Sequence, residues 1–252
     1  MHAIGCCAQI TSSFCFLFQA TDSIYLFLCV SFKKVLLLNS TDGGVSWSRP
    51  RDLTSTLLPA RWGPDASVYY GTQQGIAVDM GGGRQRLIVC ANHHGAASNG
   101  ANAVFSDDHG ATWQNGQTII PGKLGECAFA QTAAGITMYA RVVYDDAGDR
   151  PRRALAFSGD FGESFTPGDT AAFPGNPGAD AEGAFIHAGG YFLVGSPWGA
   201  PHTGRHNYTV LVSPCKDGRV STWSKLPVRR RRHCFGPFLA HFSAPLCSPR
   251  AV

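Results

Sequence analysis

An eight-residue pattern that occurs three times constrains the fold of this chain more than any other feature. It reads Ser-x-Asp-x-Gly-x-Ser/Thr-aromatic, and its copies begin at Ser40, Ser106 and Ser158, which are 66 and 52 residues apart. Recurrence at this interval is typical of proteins built from repeated supersecondary units, such as propellers. Three copies in one chain cannot all lie at one active centre, so we interpret the pattern as scaffolding and not as a catalytic cluster.

The residue types in the pattern have local structural roles. The aspartate accepts hydrogen bonds from nearby backbone N–H groups, and the glycine supplies the positive φ of a tight turn. The hydroxyl side chain satisfies a further backbone group, and the aromatic ring is expected to fold back under the turn and be buried. The defining residues are Ser40, Asp42, Gly44 and Trp47, then Ser106, Asp108, Gly110 and Trp113, and finally Ser158, Asp160, Gly162 and Phe165.

Short apolar runs surround the three patterns and predict β-strands. Runs at residues 34–39, 102–105 and 153–157 each end at the serine of a copy. Further strands are predicted at residues 75–80, 86–92 and 207–213, and a hairpin at 183–196. With 30 glycines, 15 prolines and only 15% charged residues, the chain suits many short strands joined by tight turns. We therefore predict an all-β fold of four-stranded units arranged as a propeller.

Charge and cysteine content exclude several classes of function. The net charge is +4, and four positive charges lie in the run Arg229–Arg232, so nothing requires a nucleic-acid partner. None of the nine cysteines forms a C-x-x-C pair, which predicts neither a zinc site nor a disulfide framework and favours a reducing compartment. His93 and His94 lack matching ligand spacing and are interpreted as a polar loop. The pair at residues 145–146 is interpreted as an exposed loop rather than as paired catalytic carboxylates.

The first 34 residues are apolar and stand apart from the repeats. The run at residues 23–32 is too short to span a bilayer, and no basic segment precedes it as in a secretory signal. Two interpretations stay open, one buried strand or sequence foreign to the domain. The predicted organisation is an apolar segment over residues 1–34, the repeat domain over 35–227 and a basic tail over 228–252.

The pattern and its surroundings resemble the Asp boxes of the sialidase superfamily. The resemblance rests on STDGGVSWSRPRDLT (residues 40–54), GECAFAQTAAGITMYAR (125–141) and GRHNYTVLVS (204–213), and extends over residues 35–226. It implies a six-bladed β-propeller, incomplete here, because at about 45 residues per blade this stretch accounts for about four blades. It also implies an exo-α-sialidase, a retaining glycoside hydrolase that removes terminal sialic acid from glycoproteins, gangliosides or oligosaccharides.

The resemblance implies roles for four residues. Arg141 and Arg205 match arginines that bind the sialic acid carboxylate, a task that suits the planar, permanently charged guanidinium. Glu126 matches the glutamate that serves as base for a tyrosine nucleophile, the nucleophile that sialidases use instead of a carboxylate. Asp65 lies near the position of a substrate-facing acid. The family needs no cofactor or metal, touches membranes only through glycolipid substrates, and is cytoplasmic or lysosomal and membrane-associated.

Three functional positions of the family have no counterpart in this sequence. No arginine precedes Arg49, the acid/base aspartate has no match, and no tyrosine follows Tyr208. We therefore expect sialidase activity to be impaired. The alternative is a non-catalytic Asp-box propeller that binds sialylated glycans or a protein partner.

Overall fold

The computed structural model describes residues 13–20, 23–70, 75–122, 124–142, 153–168, 183–197 and 208–226. Apart from one short helix and one 3₁₀ turn, the regular structure of this part of the chain is β-strand, arranged in four antiparallel sheets that follow one another along the sequence. The all-β prediction is confirmed, and the packed, sequential sheets give the molecule a propeller-like architecture.

Sheet 1 combines strands of the apolar N-terminal segment with strands around the first Asp box. Its strands are β1 (Ser13–Ala20), β2 (Ser23–Val30), β3 (Lys34–Ser40) and β4 (Arg51–Asp52), in that order across the sheet. Residues 13–30, which precede the predicted boundary at residues 34/35, thus supply the first two strands. A short helix α1 (Thr54–Leu57) and a 3₁₀ turn (Ala60–Trp62) lead to the next sheet.

Sheet 2 has a first position that is shared by two short strands. Its members are β5 (Ser67–Tyr70), β6 (Ile76–Asp79), β7 (Gln85–His94), β8 (Asn99–Ser106) and β9 (Gln114–Pro121). Both β5 and β6 pair with β7, and β8 and β9 follow outward.

In sheets 3 and 4 the strands are again paired in the order in which they occur along the chain. Sheet 3 consists of β10 (Leu124–Thr132), β11 (Gly135–Val142), β12 (Arg153–Ser158) and β13 (Thr166–Pro167). Sheet 4 consists of β14 (Ala184–Ala188), β15 (Tyr191–Pro197), β16 (Tyr208–Lys216), β17 (Arg219–Val220) and β18 (Ser224–Leu226), with β17 and β18 both paired to β16. The predicted hairpin at residues 183–196 is confirmed, with Gly189 and Gly190 at positive φ in its turn.

Three hydrophobic clusters fill the spaces between successive sheets. Phe27 and Leu37 of sheet 1 pack with Val89 of sheet 2, whereas Ile88 on the other face of β7 packs with Met138 of sheet 3. A third cluster joins sheets 3 and 4. Because alternate residues of a strand face opposite sides of its sheet, β7 is buried on both faces, and its uninterrupted apolar run follows from that.

The three Asp boxes form nearly identical turns at the ends of β3, β8 and β12. In the second, Ser106 Oγ donates to Asp108 Oδ1 at 2.8 Å and accepts from the Gly110 N–H at 2.8 Å. The backbone N–H of Thr112 donates to Asp108 Oδ1 at 2.7 Å. Corresponding bonds are present in the other two boxes. Of the three box aromatics, only Trp113 is fully buried, and the other two are half-buried.

Two details differ from the sequence predictions. His93 is not in a polar loop, because β7 extends through His94 and the imidazole of His93 is completely buried. Its ring stacks on Trp62 at 4.0 Å, and both ring nitrogens contact polar side chains, those of Asn102 and Ser98. In addition, a disulfide joins Cys90 of β7 to Cys127 of β10, 37 residues apart, a separation from which no pairing could be predicted.

Candidate functional site

A β-bulge between β10 and β11 brings Glu126 and Arg141 onto the same side of sheet 3. Leu124 pairs with Val142 and Cys127 pairs with Ala140, so β10 contains one more residue than β11 between these two pairs. Such a bulge redirects side chains that would otherwise alternate between faces. The two residues that the sequence places 15 positions apart therefore lie side by side.

Glu126 and Arg141 form a close ion pair. Glu126 Oε2 lies 2.6 Å from Arg141 Nε, and the two side chains are 22% and 12% exposed, so the pair is largely screened from water while part of each side chain reaches the surface. Gly125 makes this arrangement possible, because a Cβ atom at that position would overlap Nε and Cζ of the Arg141 guanidinium. The neighbouring glycine thus provides the space in which the arginine lies.

Three half-buried aromatic side chains of sheets 1 and 2 stand at the same end of the fold. Tyr69 of β5 stacks on His94 of β7 with ring centroids 5.7 Å apart, and Phe32 meets Tyr69 edge-on at 6.1 Å. Burial raises the pKa of the Tyr69 phenol, and the negative charge of Glu126 raises it further, while Arg141 opposes the shift. Tyr69 is therefore electrostatically coupled to the ion pair, although no sequence motif indicated it.

The β2–β3 turn forms part of this end. Ser31 and Phe32 both have positive φ, an uncommon and costly conformation for residues other than glycine. Lys33 anchors the turn, since its Nζ donates to the backbone carbonyls of Asp65 and Ala66 at 2.7 and 2.8 Å. The Val68 N–H also donates to the Phe32 carbonyl at 3.0 Å.

A second arginine lies beside Arg141 on the next strand. Arg153 of β12 is the register partner of Arg141, is almost fully buried, and donates from Nη2 to Ser196 Oγ of sheet 4 at 2.7 Å. Its guanidinium also lies 5.6 Å from the centre of the Tyr139 ring. Arg153 thus connects sheets 3 and 4 next to the ion pair.

The Asp boxes are remote from the ion pair. In sheet 3, Arg153 begins β12 and Ser158, the first residue of the third box, ends it. Five residue steps along a strand span about 17 Å. Because Arg153 is level with Arg141, the boxes occupy the opposite end of the sheets and cannot contribute groups to the same site.

The other sequence-predicted site residues have different outcomes. Asp65 lies just before β5, at the same end as the ion pair; its carboxylate is exposed, and its carbonyl receives Lys33 Nζ. Arg205, the acid pair at residues 145–146 and the arginine run at 229–232 lie outside the described residues. Within the described ranges, no group of three His, Cys, Asp or Glu side chains is arranged to hold a metal ion. No helix in these ranges has the length and apolarity needed to cross a bilayer.

Fold and site together define a class: a propeller-like β-protein with an Asp-box scaffold at one end of its sheets and a carboxylate–guanidinium pair at the other. Residues 12–232 match the family model described as BNR repeat-like domain. Because this match covers most of the sequence, the chain belongs to the BNR repeat-like family, which places it in the sialidase superfamily.

Curated relatives support this membership. Sialidase-4 of Mus musculus is 25% identical over 240 residues, 86% of this chain and 45% of that protein. Sialidase-3 of Mus musculus is 32% identical over 146 residues, 52% of this chain and 33% of that protein. The sialidase of Micromonospora viridifaciens is 31% identical over 132 residues and is covered over 19% of its length. The chain thus spans less than half the length of these relatives.

Solved structures show the same fold at low sequence identity. The Hadza microbial sialidase Hz136 superposes with a TM-score of 0.64 at 18% identity, over 84% of this chain and 43% of the other. Trypanosoma rangeli sialidase in complex with sialic acid gives a TM-score of 0.63 at 15% identity, over 85% and 40% respectively.

Proposed function

We propose that the end of the fold that carries Arg141 binds the terminal sialic acid of a glycan through its carboxylate, as part of an exo-α-sialidase type of site. The observation that carries this proposal is the largely buried but still partly exposed ion pair between Arg141 and Glu126. A guanidinium can bind a carboxylate through two parallel hydrogen bonds, and a partly buried site strengthens them relative to water. Glu126 and Gly125 hold Arg141 in place before the ligand arrives.

Family membership and the Trypanosoma rangeli complex with sialic acid support this ligand class. Arg205 is the second carboxylate-binding group in the proposal, on the resemblance of its surrounding sequence. Asp65 stands at the same end and is the proposed substrate-facing acid.

A second candidate is binding without turnover, and the state of Tyr69 favours it. Hydrolysis by the family's reaction requires a tyrosine nucleophile activated by the glutamate. In the described ranges, the carboxylate of Glu126 is paired with Arg141, and burial together with Glu126 raises the pKa of Tyr69. In this candidate, Tyr69 stays protonated beside the ion pair and contacts the bound sugar.

Calorimetric titration with 3′-sialyllactose and a fluorogenic sialoside assay test the two candidates together. We expect the wild-type chain to bind sialyllactose but not lactose. Arg141→Lys keeps the charge but removes the two-pronged contact, and we expect it to weaken binding by about 10- to 100-fold, the equivalent of roughly 1.5–3 kcal/mol. Binding without hydrolysis supports the second candidate, and hydrolysis that Arg141→Lys impairs supports the first.

Gly125→Ala provides an independent test of the site geometry. The added methyl group must displace the Arg141 guanidinium, so we expect a loss of binding similar to that of Arg141→Lys. The matched control is Gly159→Ala, since a Cβ there meets only Phe157 at an ordinary 3.7 Å. Sialyllactose affinity that is the same in all variants would contradict the proposal.

A further inference from the structure

The ion pair and the tyrosine of the candidate site come from two different sheets, and a disulfide crosslinks those sheets at the residue next to Glu126. Tyr69 and His94 belong to sheet 2, whereas Glu126 and Arg141 belong to sheet 3. Cys90 and Cys127 join β7 to β10 with Cα atoms 5.8 Å apart, within the range that an unforced disulfide requires.

The bridge meets the bulge at the residue that follows the glutamate. Cys127 is the first residue after Glu126, and its pairing with Ala140 closes the bulge opposite Arg141. Fixing Cys127 to sheet 2 therefore fixes the backbone that carries the carboxylate.

A second contact connects the bridge to the aromatic side of the site. Asn92 Nδ2 donates to Cys127 Sγ at 3.3 Å, and Asn92 is also the register partner of Tyr69. Asn92 is completely buried, and both cysteines are almost fully buried in the cluster between sheets 2 and 3. Contacts thus run from Tyr69 through Asn92 and Cys127 to Glu126.

We propose that Cys90 and Cys127 are positioning residues, whose disulfide holds the Glu126–Arg141 pair in register with Tyr69 and makes ligand affinity depend on thiol redox state. Reduction breaks the S–S bond: a dithiol reductant supplies two electrons and two protons, two thiols form, and the reductant is oxidised to its own disulfide. Sheet 3 is then free to shift against sheet 2 at the bulge. The dependence of ligand affinity on redox state rests on the function proposed above. The positioning role of the disulfide does not.

The positional role is tested without any ligand. Mass-spectrometric thiol mapping of protein purified without reductant is expected to find Cys90 linked to Cys127. Hydrogen exchange followed by mass spectrometry is then compared with and without dithiothreitol. Exchange in residues 124–132 should accelerate on reduction by about tenfold or more, while residues 208–216 of sheet 4 remain unchanged.

Cysteine variants distinguish the effect of losing the Cys90–Cys127 disulfide from other effects of the reductant on the protein. Cys90→Ala/Cys127→Ala is expected to reproduce the reduced wild type and to be insensitive to dithiothreitol. Cys215→Ala is the control, since Cys215 is a free, half-buried cysteine in sheet 4. If the double variant does not fold, the reduced wild type still gives the comparison.

The ligand arm uses 3′-sialyllactose. Displacement of the Arg141 guanidinium weakens its charge-assisted hydrogen bonds to the ligand carboxylate, so we expect a roughly 10- to 100-fold loss of affinity in the reduced protein and none in Cys215→Ala. Free thiols at both positions, or unchanged exchange in residues 124–132, would overturn the positioning role. No binding in either redox state would refute the proposed function and leave the exchange result to decide the positional role. Equal affinity in both states would overturn the redox dependence.

Discussion

At the scale of single residues, the Asp box is a turn stabilised by one serine and one aspartate. The Asp42 carboxylate accepts hydrogen bonds from the side chain and backbone of Ser46 and from Ser40, which lower its pKa to about 2. For Asp108, burial raises the pKa, but the bonds from Thr112 and Ser106 outweigh it and leave the pKa lowered. The same holds for Asp160 with Ser164 and Ser158. The hydrogen bonding that the three boxes share thus depends on ionised carboxylates.

This chemistry predicts acid sensitivity. A carboxyl group whose folded-state pKa lies below its unfolded value contributes stability above the unfolded pKa and loses it as pH falls through the folded pKa. For Asp42 this window runs from about pH 4 down to about pH 2. We expect the thermal unfolding midpoint, measured by circular dichroism, to fall across that window.

Asp108→Asn should lower stability at pH 7 by about 1 kcal/mol, since an amide replaces one acceptor oxygen, and should flatten the acid transition. Asp217→Asn, at an exposed turn aspartate outside the boxes, is the control. A midpoint that is constant between pH 5 and pH 2 would contradict the assignment.

At the scale of elements, arginines of one sheet donate hydrogen bonds to backbone carbonyls in the Asp box of the next sheet. Arg51 of β4 donates to the carbonyls of Gly110 and Ala111 in the second box at 2.6 and 2.7 Å. Arg86 of β7 is almost fully buried and forms two bonds to Asp107, at 2.6 and 2.8 Å, and a third to the Phe161 carbonyl of the third box. The boxes therefore form hydrogen bonds between neighbouring sheets, in addition to the bonds that stabilise their own turns.

Substitution of Asp107 should destabilise the end of sheet 2 at which Arg86 contacts the third box. Asp107→Ala leaves the buried Arg86 guanidinium without its bidentate partner, and we expect a loss of about 2–3 kcal/mol in the free energy of unfolding, measured by urea titration. Glu163→Ala is the matched comparison, because Glu163 contacts the same guanidinium at 3.3 Å and its side chain is 64% exposed. Its removal should cost less than about 1 kcal/mol. Equal losses in the two variants would contradict the bidentate assignment.

At the scale of the whole molecule, the sheets are not equivalent. Sheets 2 and 3 are covered on both faces, whereas β2 of sheet 1 and β14 of sheet 4 alternate between buried and more exposed residues. On the outer face of sheet 4, Ile186 pairs with Leu193 and Leu193 pairs with Val212, which forms an apolar row across three strands. Ile186 is 49% exposed. Exposed apolar sheet surface of this kind promotes association.

We therefore expect the purified chain to associate as its concentration rises, as followed by sedimentation velocity. Ile186→Lys should reduce that association while changing the free energy of unfolding by less than about 0.5 kcal/mol, because the side chain is exposed. Val45→Lys is the control, since Val45 is 86% exposed in the first Asp box and lies outside the apolar row. Association that is unaffected by Ile186→Lys, or reduced equally by Val45→Lys, would contradict this prediction.

The sequence by itself determined the all-β class, the positions of the strands next to the Asp boxes and of several others, and the three turns. These features depend on local chemistry, which short segments carry: alternating side chains, glycines at positive φ and a hydroxyl–carboxylate pair. The resemblance of the surrounding segments also identified Glu126 and Arg141, which the fold brings to 2.6 Å of each other.

Only the tertiary structure decided which distant residues meet. The Cys90–Cys127 bridge, the hydrogen bond from Arg86 to the Phe161 carbonyl and the coupling of Tyr69 to the ion pair all join different sheets or distant strands. Burial of His93 likewise depends on Trp62 from a separate connection. Such contacts depend on how one sheet packs on the next, and that packing cannot be predicted from the residue types within a short segment.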